Sequence, residues 1–400
     1  MKKSLLATLL AGLFATSANA GIVIPAGEWT LDINGNVNAY ASINNAKDNN
    51  DIKGGIATVK GTNGNSHTQG INTGLLPVWL GFSGKSRQND LDIGFTISLQ
   101  PNVSDNGATG DGNTPLFRQA YLTFGDKSWG TVKLGKDIGV FGSDAILNDM
   151  TLLGVGGYSA GTAFPGSGAA TTYGGIGTGY IYPAWKGQIA YTTPNWDGLQ
   201  VTVALTNPNQ ASGNEVFQDR FGYEGKVTYD YNLGDVKGRA WTSMASYKIT
   251  SATTVNNVIV PSSEYTAYAW DLGATANYGP FGLTGYYYNG KGAGTTTFGS
   301  NGVDANGNRR DSDGYYVQAT YVTPFTTKVG VAYGRSNLDK ANGSDAVNLV
   351  DNNERITVGA YHPLTKNLNL VAEYNRVKSE SHNGLENESD TYSAGAILFF

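Results

Sequence analysis

The chain has 400 residues, a formal net charge of -5, no cysteine, 55 glycines and 24 tyrosines. Mild acidity without a long basic block argues against nucleic acid as a partner. The absence of cysteine excludes disulfide staples and thiolate metal sites, so stability must come from elsewhere. Abundant Gly and Tyr, with no long apolar pattern of helical period, favour an all-β protein.

The first element in chain order is the start "MKKSLLATLLAGLFATSANA", with Lys2 and Lys3 before the apolar run Leu5 to Phe14 and then Ala18-Asn19-Ala20. This reads as a secretory signal over 1–20, cleaved before Gly21, with a single barrel domain expected over 21–400. Losing Lys2 and Lys3 takes the net charge from -5 to -7. The apolar run is shorter than the roughly 20 residues a spanning helix needs, and no later segment approaches that length.

From residue 28 the pattern is of period two. "EWTLDINGNVNAYASIN" sets Trp29, Leu31, Ile33, Val37 and Ile43 against Asp32, Asn34, Asn36 and Asn38. Side chains of a strand alternate between faces, so one face is apolar and the other wet. "DLDIGFTISLQ" repeats the pattern, and "DRFGYEGKVTYDY" does so with Arg220, Glu224, Lys226 and Asp230 on its polar face. The same reading gives sixteen strands, at about 28–44, 75–84, 90–100, 116–124, 129–136, 186–193, 199–206, 219–232, 236–249, 264–278, 281–289, 313–323, 327–336, 353–362, 367–378 and 390–400. Many have the roughly 9 to 11 residues that cross a bilayer when tilted.

The connections alternate in length. Short ones such as 85–89, 233–235 and 279–282 separate long ones centred on 45–74, 101–115, 137–185, 207–218, 250–263, 290–312, 337–352 and 379–389. An even strand number, dyad alternation, short periplasmic turns and long extracellular loops are the signature of an outer-membrane barrel. In lipid a sheet must close on itself, because unpaired backbone groups are too costly. A barrel of about 16 strands is too wide for side chains to fill and leaves an aqueous channel. The competing architecture, a soluble sandwich packing the same apolar faces into a dry core, gives no reason for the regular alternation of connections.

"RQAYLTFGDKSWGTVKLGK", residues 118–136, resembles the segment of the Gram-negative trimeric porins that leads into their third loop, with Lys136 where that family commonly has arginine. The last strand, "DTYSAGAILFF", ends on Phe400 and is similar to the signal read by the barrel-assembly machinery. The resemblance implies a transmembrane antiparallel β-barrel in the cell outer membrane, assembled as a homotrimer. Each barrel would pass ions and small hydrophilic solutes by passive diffusion, with no cofactor and no catalysis. It also implies that the third long loop, 137–185, folds into the pore. Its Gly-rich stretches "GVGGYSAG" and "GGIGTGY" would let it follow an inner wall closely.

In that family the loop carries acids and the facing wall carries bases. The loop acids here are Asp137, Asp144 and Asp149. Wall bases are Arg118 and Lys136, carried over from the matching segment, and Lys133, Arg220, Lys226 and Arg355 from the wet phase of their strands. Arg118 shares phase with Leu116, Ala120 and Leu122, so a bulge or a subunit neighbour is expected there. Lys136 shares phase with Val132 and Leu134 and reaches the lumen only if its strand ends beside it. Charge selectivity leans toward cations.

Other chemistry is thinner. His67, His362 and His382 fall in loops and at a turn with no nucleophile motif beside them, against a barrel hydrolase. "DANGNRRDSDG" has the flavour of a calcium loop, but Arg309 stands where that loop needs glycine. Trp29, Trp79, Trp129, Trp185, Tyr229, Tyr231, Trp270, Tyr278, Tyr392 and Phe400 are candidates for the interfacial aromatic girdles, in contact with lipid. A solute-specific porin for sugars, dicarboxylates or amino acids is the nearest alternative; an adhesin or structural barrel is more distant.

Overall fold

The computed structural model describes residues 21–61, 63–101, 103, 116–157, 171–208, 215–216, 220–255 and 258–400. The signal segment 1–20 lies outside them. Sixteen strands form the wall. In chain order they are β1 (Trp29–Ala46), β2 (Trp79–Gln88), β3 (Leu91–Gln100), β4 (Leu116–Asp126), β5 (Gly130–Ile138), β6 (Trp185–Thr192), β7 (Leu199–Thr206) and β8 (Gly222–Leu233). There follow β9 (Val236–Val255), β10 (Val258–Tyr278), β11 (Phe281–Lys291), β12 (Asp311–Val322), β13 (Lys328–Leu338), β14 (Val350–Pro363), β15 (Leu368–Ser381) and β16 (Glu386–Phe399). Each pairs antiparallel with its neighbours in sequence, and β16 closes on β1 from Ser389↔Ala46 to Phe399↔Asn36. The closed antiparallel barrel expected from alternation and loop lengths is the fold.

The two faces separate as the period of two demands. On β1, Asn36, Asn38, Tyr40, Ser42 and Asn44 point inward and are buried, whereas Val37 and Ile43 point outward and are each 51% exposed. The same outward phase carries Ile97, Leu122, Ile189, Leu272, Val331 and Val358, all exposed to the surroundings of the barrel. A water-soluble chain would bury this apolar face; a bilayer is the solvent it fits.

One rim is tight. Asn89 and Asp90, with φ of 49° and 61°, join β2 to β3 in a two-residue turn whose left-handed backbone matches strand twist. Gly234, at φ 68°, serves the β8–β9 turn with nothing within 4 Å of where a side chain would begin. Several expected boundaries move, among them 379–389, where β15 and β16 pair out to Glu380↔Glu386. The stretch 75–84 is strand only from Trp79, because Leu75 and Leu76 are buried among the inward-folded loops and the Leu75 amide bonds to the Gly154 carbonyl at 2.8 Å. The loop expected at 250–263 is instead ladder, with β9 and β10 paired out to Val255↔Val258 through a bulge at Ser251/Ala252. Short strands Ile22–Ala26, His67–Asn72 and Glu215–Val216 were not foreseen, being too brief to show a period.

The core is inside the barrel and is made by loops. Three long connections send described segments inward: 47–61 with 73–78, 139–157 with 171–184, and 292–310. The main cluster sets Phe141, Ala145, Ile176, Tyr180 and Ile181 of the second of these against Trp241, Tyr247, Tyr286 and Tyr316 of the wall. The first loop is held by the Ile56 amide on Ser379 Oγ at 2.9 Å and by the Gly74 amide on Asn38 Oδ1 at 3.0 Å.

Candidate functional site

The loop 139–184 leaves β5 through a neck in which the Gly139 amide bonds the Ala184 carbonyl at 2.8 Å. Wall side chains then meet its backbone at each stage. Glu224 on β8 accepts the amides of Val140 and Phe141, and also the ammonium of Lys186 at 2.7 Å. A short helix, α1 (Ser143–Leu147), follows, and the Tyr316 hydroxyl donates to the Ala145 carbonyl at 2.9 Å. Gln318 accepts from the Met150 amide at 2.9 Å and donates to the Asn148 carbonyl at 2.7 Å. Glu373 on β15 takes the Val155 and Gly156 amides at 3.0 and 2.8 Å and the Tyr361 hydroxyl at 2.6 Å. The contacts to the loop satisfy backbone groups that it would otherwise bury unpaired.

The charges form closed sets. Asp144 Oδ2 lies 2.6 Å from Lys226 Nζ, and its Oδ1 lies 3.3 Å from Arg239 Nη1. The second base is balanced in turn, because Arg239 grips Asp230 with Nε at 2.6 Å and Nη2 at 2.8 Å. Burial works against the charge of Asp144, but Lys226 and Arg239 beside it hold its carboxyl below the ordinary range. Asp149 caps the 3-10 turn Met150–Leu153 by accepting from the Thr151 amide and hydroxyl at 2.9 and 2.8 Å. It also takes the Tyr180 hydroxyl at 2.8 Å and faces Arg355 Nη2 at 3.5 Å. Buried charges persist when paired and hydrogen-bonded in this way.

The expected loop acids and wall bases therefore meet in two places, Asp144 with Lys226 and Asp149 with Arg355. They meet where the loop lies on the wall, with all four residues at most 8% exposed, and not across an opening. The other expectations divide. Asp137 is on the wall strand β5 rather than on the loop; it faces Gln119 Nε2 at 2.8 Å and the Lys133 ammonium. Lys133 is lumen-facing, its ammonium 4.9 Å from the Tyr121 ring centroid and its side chain 32% exposed. Arg118 is turned inward by a bulge: Ser98 pairs with Gln119 but Gln100 with Leu116, so Arg118 and Gln119 are both buried. Lys136 is a correction. It pairs opposite Ala120 in the outward phase and donates to the Phe117 carbonyl at 2.8 Å on the exterior. Arg220 is another, since β8 begins at Gly222 and Arg220 is exposed on the rim before it. Phe400 pairs with Gly35 by 2.8 and 3.0 Å backbone bonds and completes the seam.

Sequence reasoning missed Arg239, Glu224, Glu373 and Gln318 as partners of the loop. All four lie in the wet phase of their strands, which shows that they face the lumen but not which loop residue they meet. Among the aromatics, Trp129, Tyr229, Trp270, Tyr278 and Tyr392 are exposed, as a girdle requires. Trp79 is instead buried, 6.0 Å from Trp185. The calcium-like segment is internally satisfied: Asp304 accepts from the Asn306 and Asn308 amides at 2.8 Å each and from the side chains of Asn308 and Asn342 at 2.8 and 2.7 Å. Among the described residues no cluster of three or more metal-ligating side chains is present.

Open space remains beside the inner faces of β1 to β5 and β7 to β9. A cavity of 840 Å³ occupies the tight-rim end of the lumen, with Ser83, Lys85, Thr96, Tyr121, Asp230 and Arg239 in its lining. At the same end, Thr131, which lines this cavity, is adjacent to Thr192 and Thr202 across three strands, with the Thr192 and Thr202 hydroxyls 2.9 Å apart.

The sequence model of a family described as Gram-negative porin matches residues 7–382. No curated protein matches the chain. Among solved structures, the outer membrane channel DcaP of Acinetobacter baumannii is similar at 17% identity and TM-score 0.70, over 95% of this chain and 100% of that one. An anion-selective porin from Comamonas acidovorans gives 16% identity and TM-score 0.64, over 93% and 100%. A trimer form of OmpT, an outer membrane protein of Vibrio cholerae, gives 15% identity and TM-score 0.56, over 93% and 99%. At these identities the likeness is one of fold.

Proposed function

From the premise that the chain belongs to the Gram-negative porin family, we propose that its pore is an off-centre passage for small hydrophilic solutes, bounded by the in-folded loop and the wall strands β1 to β5 and β7 to β9. As a porin, the protein is an outer-membrane channel for passive diffusion. Its fold is that of a channel rather than an enzyme, and we assign it no catalysis: His67, His362 and His382 lie apart, bonded to Asn45, Thr327 and Leu338.

The carrying observation is the pairing of Asp144 with Lys226 and Arg239, and of Asp149 with Arg355. A fixed charge biases a passing ion most when it is uncompensated at a constriction. With each loop acid matched by a wall base, little net field is left, so the pore discriminates weakly between cations and anions. The lean toward cations gives way to near-neutrality. Reversal potential in a potassium chloride gradient tests this: a value near zero supports the reading, and strong selectivity of either sign contradicts it.

A solute-specific reading draws on the hydroxyl row of Thr131, Thr192 and Thr202, with Lys133 and Tyr121 beside it. Such a lining suits a solute that exchanges water hydrogen bonds for hydroxyl ones. Competition of the ion current by sugars, dicarboxylates or amino acids separates the two.

Assembly as a homotrimer is supported by the outer surface. Within the strands, the exposed Tyr and Trp residues Tyr223, Tyr229, Tyr268, Trp270, Tyr278, Tyr287, Tyr315 and Tyr392 belong to β8, β10 to β12 and β16, while Trp129 and Trp196 lie in tight turns. On β1 to β5 the exposed apolar residues are Val37, Ile43, Phe82, Ile97, Phe117 and Leu122. Amphipathic rings mark where a barrel meets headgroups, so a face without them suits a neighbouring barrel. Delivery by the barrel-assembly machinery through the Phe400 terminus is part of the same reading.

A further inference from the structure

The third loop is not alone in the lumen. The loop 292–310 sends its own tip inward: Ala293, Thr295, Thr296, Thr297 and Phe298 are all at most 8% exposed. The tip pairs with the returning limb of the third loop rather than with its own strands. The Tyr182 amide bonds the Thr296 carbonyl at 2.8 Å, and Tyr182 and Thr297 form a parallel bridge. Phe298 is 1% exposed, its ring centroid 4.4 Å from that of Tyr247 on β9 and 5.8 Å, edge to face, from Phe141 at the start of the third loop. It is a wedge between wall and loop.

The tip can turn this tightly because of glycine. Gly294 has φ +71°, and a side-chain carbon there would stand 1.8 Å from the Ser300 carbonyl oxygen. The base is tethered from the next long connection: Arg310 is fully buried and holds Asp345 through Nε at 2.7 Å and Nη2 at 2.6 Å. Its Nη1 donates to the Asn301 carbonyl at 2.8 Å. Passive surface cover requires neither an inward-facing aromatic nor a buried bidentate arginine at its base.

We propose that the loop 292–310 is a second constriction element, and that Phe298 determines the size of solute admitted by holding the third loop off β9. The inference rests on the channel reading and deepens it. Truncating Phe298 removes the wedge, so Phe141 and the loop behind it can retreat and the passage widens. Severing the Arg310 tether acts in the same direction from outside the lumen, because the tip loses its anchored base.

The test uses the full-length protein in planar bilayers, with single-channel conductance in potassium chloride and exclusion of neutral polyethylene glycols of graded size as readouts. Phe298→Ala is expected to raise conductance by about twofold and to admit larger polymers, since pore diameter sets both. Asp345→Asn leaves Phe298 in place and should shift the polymer threshold the same way, so the proposal stays testable if Phe298→Ala fails to fold. Folded variants with unchanged conductance and threshold overturn the proposal. A wild-type protein that carries no current at all sinks the channel reading itself, which is a separate outcome.

Discussion

Asp144, on the in-folded loop, and Lys226, on the wall strand β8, are joined at 2.6 Å with both side chains at most 7% exposed. This contact fixes the loop to the wall and removes two charges from the passage together.

Replacing Asp144 with Asn breaks that balance. Lys226 is then left with the Ser143 hydroxyl and Arg239 with Asp230, and the lumen gains one positive charge. Reversal potential should move toward anions, with a stability cost of about 3 to 5 kcal/mol for stranding a buried charge. Asp149→Asn, which strands Arg355, should shift it the same way. An unchanged reversal potential in both would place these acids outside the ion path.

Lys133 and Lys136 are three residues apart and should behave oppositely. Lys133→Gln removes a lumen-facing ammonium and leaves Asp137 uncompensated, so selectivity should shift toward cations. Lys136→Gln lies outside the barrel and should leave ion selectivity as it was. Equal effects from the two would contradict the register of β5.

Glu373→Gln loses the charge that draws the Val155 and Gly156 amides onto β15. Charge-assisted bonds of this kind are roughly twice as strong as neutral ones, so this section of the loop should loosen. Single-channel records should show larger open-state noise. Quiet records from Glu373→Gln would mean that packing alone holds the loop.

How far the sequence reaches is clear from these residues. The phase of β1 distinguished Val37 and Ile43 from Asn36 and Asn38, because a strand pointing into the wrong solvent is costly along its whole length. Asp144, Asp149, Lys226 and Arg355 were legible as lumenal charges. Their pairing was not, since it depends on where a loop of more than forty residues comes to rest, which no local period encodes. Arg118 needed the bulge opposite Ser98 and Gln100, where one extra residue reverses the phase. The inward turn of 292–310 was illegible for a related reason: Gly-rich, Thr-rich sequence reads as exposed loop until Phe298 is seen against Tyr247.

The outer loops should withstand acid. Arg310, bonded to Asp345, holds that carboxyl far below the usual carboxylate range. The Asn308 side chain and amide, with Asn342 and the Asn306 amide, hold Asp304 at about 2. A carboxyl depressed in the folded state adds stability that is present above its unfolded value, about 3.9, and is lost as pH falls through the folded one. The polymer threshold should therefore stay constant from pH 7 down to about 4. A threshold that widens between pH 6 and pH 5, where these two carboxyls remain ionised, would show that the Arg310 tether does not govern the opening.

The most direct measurement is the current through single molecules of the purified protein in a planar bilayer with potassium chloride on both sides. A water-filled passive channel predicts discrete conductance steps and a current proportional to voltage near zero. Insertion without any ion current would contradict the account at its centre.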